Sequence, residues 1–260
     1  MGLHGLRFER NGAIGHLILD RPPVNAVSAQ LTESLIDVLI DIRAMRDVSV
    51  VVLSSANPRL FCAGADIKEI STLAGSDDPG RDVRRQQIMR NMLDLLVDLP
   101  QPTIAVINGA ALGSGAGLAV SCDIRIGSVR ASIGLPEINA GRCGGARHMM
   151  RVVPQGIVRQ MYFTGEPLDA DTAFRYGLLN EVHPDGEELA AAMRLAGKIA
   201  SKSPHALRLA KEAINGCEFL SLKEGYALEQ TFTLKLGRSA DAKEAAQAFI
   251  EKRDPVWASA

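Results

Sequence analysis

The segment Gly109-Ala-Ala-Leu-Gly113-Ser114-Gly115-Ala-Gly117 follows a β-branched run and precedes an apolar helical pattern. Several small residues therefore sit where a strand opens into a helix. Backbone N–H groups at a helix start have no intrahelical partner, and small side chains let a ligand approach them closely. Such a place suits a developing oxyanion. It does not suit a dinucleotide: counted from Gly113 and Gly115, the third glycine of G-x-G-x-x-G would fall at Leu118. A Walker A loop needs Gly-Lys-Ser/Thr, which is absent, and a G-x-S-x-G elbow around Ser114 needs glycine where Leu112 and Ala116 stand. A second turn, Phe61-Cys62-Ala63-Gly64-Ala65-Asp66-Ile67-Lys68, bears the same relation to the strand-like run Val48–Leu53. Two such turns side by side would offer two N–H donors to one oxygen. The same glycines would equally serve tight helix–sheet packing without a ligand, and composition alone leaves both readings open.

Other chemistries find less support. The chain of 260 residues has a formal net charge of −1 and no long run of one sign, whereas nucleic-acid binders usually carry a basic patch. Arg84, Arg85 and Arg90 alternate with Gln86, Gln87 and Asn91 and read as a solvated helix face. Cys62, Cys122, Cys143 and Cys217 include no C-x-x-C, and the histidines no H-x-x-x-H, so reduced thiols and no protein-built metal site are expected. A strand-like segment starts close to Met1 in place of a secretory signal. The apolar stretch 104–120 carries Asn108, Ser114 and four glycines and reads as buried backbone rather than a membrane span. A cytoplasmic protein is the expectation.

These turns need elements to hold them. Leu6–Arg10 and Ala13–Asp20 flank Asn11-Gly12, a hairpin signal. Ser28 is placed to cap a helix with the stripe Leu31, Leu35, Val38, Leu39 and Ile42. The linker-like stretch 75–80 leads to a second amphipathic helix, with Ile88, Met92, Leu95 and Leu99 on one face. Thr103–Ile107, Asp123–Gly127 and Ser132–Leu135 are strand-like. From about Gly144 helices dominate, near 144–153, 155–163, 169–176, 187–200, 204–215, 221–236 and 241–252. The pattern predicts an α/β core over residues 1–195 and a helical C-terminal region over 196–260.

At these residues the chain resembles the crotonase, or enoyl-CoA hydratase/isomerase, superfamily. The matching pieces are Arg21-Pro-x-x-Asn25-Ala26, Phe61-x-Ala-Gly-Ala-Asp-Ile-Lys68, Asn108-Gly-x-Ala-x-Gly113-x-Gly115, Cys122-Asp-Ile-Arg125 and Leu135-Pro-Glu137. Ala242-Lys-Glu-x-x-x-Ala-Phe249-x-Glu-Lys252-Arg completes a likeness collinear from about Phe8 to Arg253. The resemblance implies a spiral of ββα units with a C-terminal region that builds trimers or hexamers. It implies an acyl-CoA substrate, as in fatty acid metabolism, with no separate cofactor. It also implies an oxyanion hole from the N–H groups of Ala65 and Ser114 and a catalytic Glu137. By the same likeness Ala63, Asp66, Ile67 and Lys68 line the CoA site, Lys68 near phosphate, and Val24 and Ala26 touch the pantetheine and adenine end. Gly113, Gly117 and Pro136 are also expected to bind substrate, and Phe249 or Lys252 to reach a neighbouring subunit's site.

One departure bears on the reaction. Family hydratases pair the Pro-Glu glutamate, here Glu137, with a second glutamate at the position held by Gly117. Loss of one positioned acid–base group costs about 10²- to 10⁴-fold. A single carboxylate still suffices to shuttle a proton, so the likeness is to single-glutamate enoyl-CoA isomerases that convert 3-enoyl to 2-enoyl thioesters. A dienoyl isomerase is disfavoured, because its extra aspartates would stand at Gly117 and Gly145. The alternatives are a hydratase, lyase or decarboxylase whose missing group comes from elsewhere, and a CoA-thioester-binding or RNA-binding member with little catalysis. The near-neutral charge and Glu137 argue against the last two. The stretch 141–148 also departs from the family pattern, and Arg142 or Cys143 either faces the acyl pocket or simply packs.

Overall fold

A computed structural model describes residues 3–73, 78 and 80–258 of the chain. Most of the linker-like stretch 75–80 lies outside the described residues. The first unit is the hairpin β1 (Leu6–Asn11) and β2 (Ile14–Leu19), followed by helix α1 (Ala29–Ala44). Asn11 pairs with Ile14, so the turn is Gly12-Ala13, one residue later than the sequence signal suggests. Ser28 caps α1 by accepting the Leu31 N–H, and the stripe Leu31, Leu35, Val38, Leu39 and Ile42 is buried.

The next units repeat one motion. Strand β3 (Val50–Ser55) is followed by β4 (Leu60–Cys62) and helix α2 (Ile67–Leu73). After α3 (Arg81–Val97), β5 (Thr103–Ile107) is followed by β6 (Ala110–Leu112) and α4 (Ser114–Ser121). Then β7 (Ile124–Ser128) is followed by β8 (Ser132–Gly134) and a 3-10 helix, Pro136–Ala140. The first strand of each unit joins one sheet, in the order β1-β2-β3-β5-β7-β10, with β10 at Glu181–His183. The second strands form another sheet, β4-β6-β8-β9, with β9 at Leu168–Asp169. The corners between sheets stack: Asn108 Nδ2 donates to Asn57 O at 2.7 Å, and Ser128 Oγ donates to Asn108 O at 3.1 Å. This is the expected spiral.

The main core lies between these sheets, α1 and α3, with Leu17, Leu35, Phe61, Met92 and Ile107 fully buried. Helix α3 buries Met92, Leu93 and Leu96, so its inward face is turned from the expected Ile88–Leu95 stripe. Leu99 is buried beyond the helix end. On the other side of the large sheet, α8 (Glu188–Ala200) packs Ala191, Ala192 and Ala196 against Val50, Val52, Ile104 and Ile126. The division expected at residue 195 falls inside α8. Helix α5 (Ala146–Met149) is shorter than its pattern suggests, and α6 (Gln155–Thr164) and α7 (Ala170–Arg175) follow.

The C-terminal helices are α9 (Pro204–Cys217), α10 (Leu222–Gly237) and α11 (Ala240–Glu251). Lys211 anchors α9 to the core: its ammonium is buried and donates to Asp123 Oδ2 at 2.7 Å and Gln101 O at 3.1 Å. Among the described residues no helix is long and apolar enough to cross a membrane.

Candidate active site

Sheet register brings the two glycine turns and the Pro-Glu turn together. Leu112 of β6 pairs with Gly134 of β8, so Gly113 and Leu135 leave adjacent strand ends. Gly113 N–H donates to Gly134 O at 2.9 Å. Three residues past Gly134, Glu137 turns its carboxylate back over Gly113, where a Cβ would lie 3.0 Å from Glu137 Oε1. Gly113 has φ +52°, a region in which side chains are strained, and a Cβ there would crowd the carboxylate. Gly64, at φ +103°, abuts the same turn, and a Cβ there would stand 2.9 Å from Leu112 O.

The donors follow from this backbone. Val27 forms an isolated parallel bridge with Ala65, in which Val27 donates to Gly64 O and accepts from the Asp66 N–H. The Ala65 N–H therefore points away from Val27. Ser114 opens α4, whose first intrahelical bond is Gly117 N–H to Gly113 O. Neither the Ala65 nor the Ser114 N–H donates to any of the described residues. Two free donors on abutting turns, one of them at a helix N-terminus, suit an oxygen that gains negative charge.

Glu137 is half-buried, and its Oε2 is sealed from solvent with no hydrogen-bond partner among the described residues. Burial pushes its carboxyl above the usual glutamate range. Its backbone C=O accepts from the Gly141 and Arg142 N–H groups, which fixes the turn. Position 117 lies three residues into α4 and is buried; a side chain there would have its Cβ 3.6 Å from Leu93 of α3.

The profile of the enoyl-CoA hydratase/isomerase family matches residues 9–260. The chain belongs to this family. It is 34% identical to a short-chain-enoyl-CoA hydratase of Clostridium acetobutylicum and 35% identical to a carnitinyl-CoA dehydratase of Proteus mirabilis, with 97% of each chain covered. Among solved structures, an enoyl-CoA hydratase from Bacillus anthracis superposes with TM-score 0.93 at 32% identity, covering 98% of this chain and 100% of the other. Pseudomonas aeruginosa DspI gives 0.92 at 31%, with 98% and 97% covered. The chain is thus an enoyl-CoA hydratase/isomerase family enzyme acting on acyl-CoA.

The other positions expected from the resemblance fall into two groups. Val24, Ala26, Ala63, Ile67 and Lys68 gather beside the Ala65 turn, with the Ala63 N–H donating to Val24 O at 3.1 Å, and Ile67 and Lys68 exposed. Asn25, buried at φ 51°, builds this edge: its Oδ1 accepts the Arg21 N–H, and its Nδ2 reaches Ser55 Oγ and Phe61 O. Asp66 is occupied structurally. Burial works against its charge, but the Arg21 guanidinium at 2.8 Å and the N–H groups of Glu69 and Lys68 outweigh that and hold its carboxyl below the usual range. Pro136 begins the turn of Glu137. Phe249 and Lys252 belong to the second group. They stand at the end of α11, which is tied to residues 201–203 by Ser203–Asp241 and, just beyond it, by Trp257–Ser201, and Phe249 is exposed.

Near the site the structure gives Arg85, Arg142 and Tyr162 partners not read from the sequence. Arg85, read as part of a solvated face, is mostly covered and donates to Asp82 Oδ1 at 2.9 Å. Arg142 reaches the same carboxylate, Nη1 to Oδ2 at 3.3 Å. The Tyr162 hydroxyl accepts the Gly144 N–H at 2.6 Å and ties the 141–145 loop to α6. Asp82 and Arg85 stand three apart on α3, a spacing the sequence does contain, whereas the Arg142 and Tyr162 contacts join separate elements and no spacing signals them.

Proposed function

We propose that the enzyme moves the double bond of an enoyl-CoA from the 3- to the 2-position, with Glu137 as its only acid–base side chain. The carrying observation is that the Glu137 carboxylate lies over the Gly113 turn, while the position that would supply a second glutamate is Gly117, facing Leu93. The thioester oxygen sits between the N–H groups of Ala65 and Ser114. Glu137 takes a proton from C2, and the electron pair of that C–H bond moves onto the thioester oxygen as an enolate. The enolate collapses with reprotonation at C4 by the same carboxyl, leaving the 2,3 double bond. A raised carboxyl pKa suits this dual use, since proton affinity near the working pH serves both uptake and return. Val24, Ala26, Ala63, Ile67 and Lys68 hold the CoA portion, Lys68 by its charge on phosphate.

The names of the two curated relatives favour a second reading, addition or loss of water, for which the second acid–base group must come from substrate or a distant residue. A panel of 2-enoyl- and 3-enoyl-CoA thioesters separates the two. Double-bond migration keeps the mass and changes ultraviolet absorbance, whereas hydration adds one water. The expected result is migration with 2-enoyl-CoA hydrated far more slowly. Hydration at roughly 10 s⁻¹ or more, an ordinary enzyme rate, replaces the first reading by the second. In either case Glu137→Gln is expected to lower turnover at least about 10²-fold. Turnover above about a tenth of wild type removes Glu137 as the base.

A further inference from the structure

Helix α3 presents one face to the region between the Glu137 turn and α4. Asp82, Arg85, Met89 and Leu93 follow at helical spacings of three and four and share that face. At one end Leu93 covers Gly117, near the oxyanion turn. About 12 Å away along the helix, eight residues at 1.5 Å each, the character changes from apolar to cationic. There Arg85 and Arg142 share the single carboxylate of Asp82, at 2.9 and 3.3 Å. Their side chains are only 20% and 32% exposed, so among the described residues this cluster sets two guanidinium groups against one carboxylate in a partly desolvated place. Arg142 is rigidly linked to the chemistry, because its N–H donates to the backbone oxygen of Glu137 at 3.0 Å.

Two more observations point the same way. Arg81, Arg84 and Arg85 crowd the N-terminal end of α3, where the helix dipole disfavours cations. Arg85 also lines a cavity of about 340 Å³ together with Val27, Ile70, Ile88 and Met89, beside the Ala65 turn. Arg81 and Arg84 line it too, as do Asp66 and Glu69, whose carboxylates are engaged by the Arg21 guanidinium and the Ala29 N–H.

We infer that Arg85 and Arg142 select an acyl-CoA whose acyl chain ends in a carboxylate. A guanidinium pair grips a carboxylate in fixed geometry, and weak hydration makes arginine suited to such burial. The terminal carboxylate balances the charge that Asp82 leaves over, while the methylene chain lies along Met89 and Leu93. A trimethylammonium-ended acyl group, as a carnitinyl thioester carries, is repelled there.

This inference rests on reading the site as an acyl-thioester site, and its test separates the two. Binding to the wild-type enzyme is measured by calorimetry with saturated, unreactive acyl-CoA thioesters of equal chain length, ending in carboxylate, methyl or trimethylammonium. Turnover is measured with the carboxylate- and methyl-ended 3-enoyl-CoA pair. The carboxylate-ended thioester is expected to bind about tenfold tighter or more than the methyl-ended one, the gain of a hydrogen-bonded charge pair. The trimethylammonium form is expected to bind most weakly. In Arg142→Gln the carboxylate-to-methyl ratio is expected to fall toward one, and in Arg142→Lys to fall only in part. Equal or weaker binding of the carboxylate-ended thioester to wild type overturns the inference without any variant. A binding preference without turnover of either enoyl substrate supports it and overturns the isomerase reading instead.

Discussion

Glu137 owes its reactivity to its surroundings. Desolvation raises its carboxyl pKa, with Oε2 sealed and unpartnered among the described residues. A group whose folded pKa lies above its unfolded value contributes stability that is fully present below the unfolded pKa, about 4.3 for glutamate, and lost as pH rises through the folded one. At neutral pH the charged carboxylate therefore weighs against the fold. Glu137→Gln is expected to melt at a higher temperature than wild type near pH 7.5, with the difference vanishing toward pH 4 in a calorimetric series. A melting temperature that falls at neutral pH would show that the carboxylate is stabilised by contacts, contrary to its isolation. For the same reason the acid limb of kcat/KM is expected above the ordinary glutamate range. The site was legible in sequence where backbone dictates it. Gly64 and Gly113 sit at fixed offsets from strand ends because positive φ and close approach favour glycine there. The Asp82–Arg142 contact was not legible, because it joins positions 60 apart on separate elements.

The active element is a stack of strand-to-helix corners, and its weakest point is Gly113. Its φ of +52° and ψ of −117° lie outside the regions open to other residues, and its Cβ position meets Glu137 Oε1 at 3.0 Å. Gly113→Ala must shift either the Ser114 donor or the carboxylate. A displacement of about 1 Å costs on the order of 10²-fold in rate, and such backbone strain about 1–3 kcal/mol in stability. The variant is expected to lose turnover by about that factor while its circular dichroism spectrum stays native. Retention of half the activity would place the reacting oxygen elsewhere. Elements of this kind divide by length in how well a sequence reveals them. The stripe of α1 spans several turns and was readable, α9 was readable as a helical segment near 204–215, and β3 as a β-branched run. The three-residue strands β4 and β6 are too short for any periodicity to register, whereas the equally short β8 falls within the strand-like Ser132–Leu135. The inward face of α3 was misread because its apolar residues outnumber those it buries: Met92, Leu93 and Leu96 pack inside while Ile88 is only half-covered.

At the scale of the whole molecule the C-terminal helices leave their apolar surface uncovered. Leu222, Tyr226 and Leu234 of α10 and Phe249 and Ile250 of α11 are exposed, Leu222 by 89% and Phe249 by 85%. Soluble monomers rarely expose apolar patches of this kind, and α9 is held to the core by the buried Lys211–Asp123 pair, so the helices are presented rigidly. The prediction is self-association through α10 and α11 into a trimer or a dimer of trimers, with Phe249 or Lys252 brought to a neighbouring subunit's CoA site. Light scattering of the wild-type chain at micromolar concentration is expected to give three or six copies, and a monodisperse monomer there rules the assembly out. Leu222→Asp combined with Tyr226→Asp adds buried charge to any such interface at two side chains that are exposed in the single chain, so it is expected to yield smaller species with an unchanged circular dichroism spectrum. If Phe249 serves a neighbour's site, that dissociated variant also shows a raised KM for acyl-CoA, whereas Phe249→Ala raises KM in an assembly of unchanged size. An unaltered KM in both variants confines α11 to assembly and leaves each active site complete within its own chain.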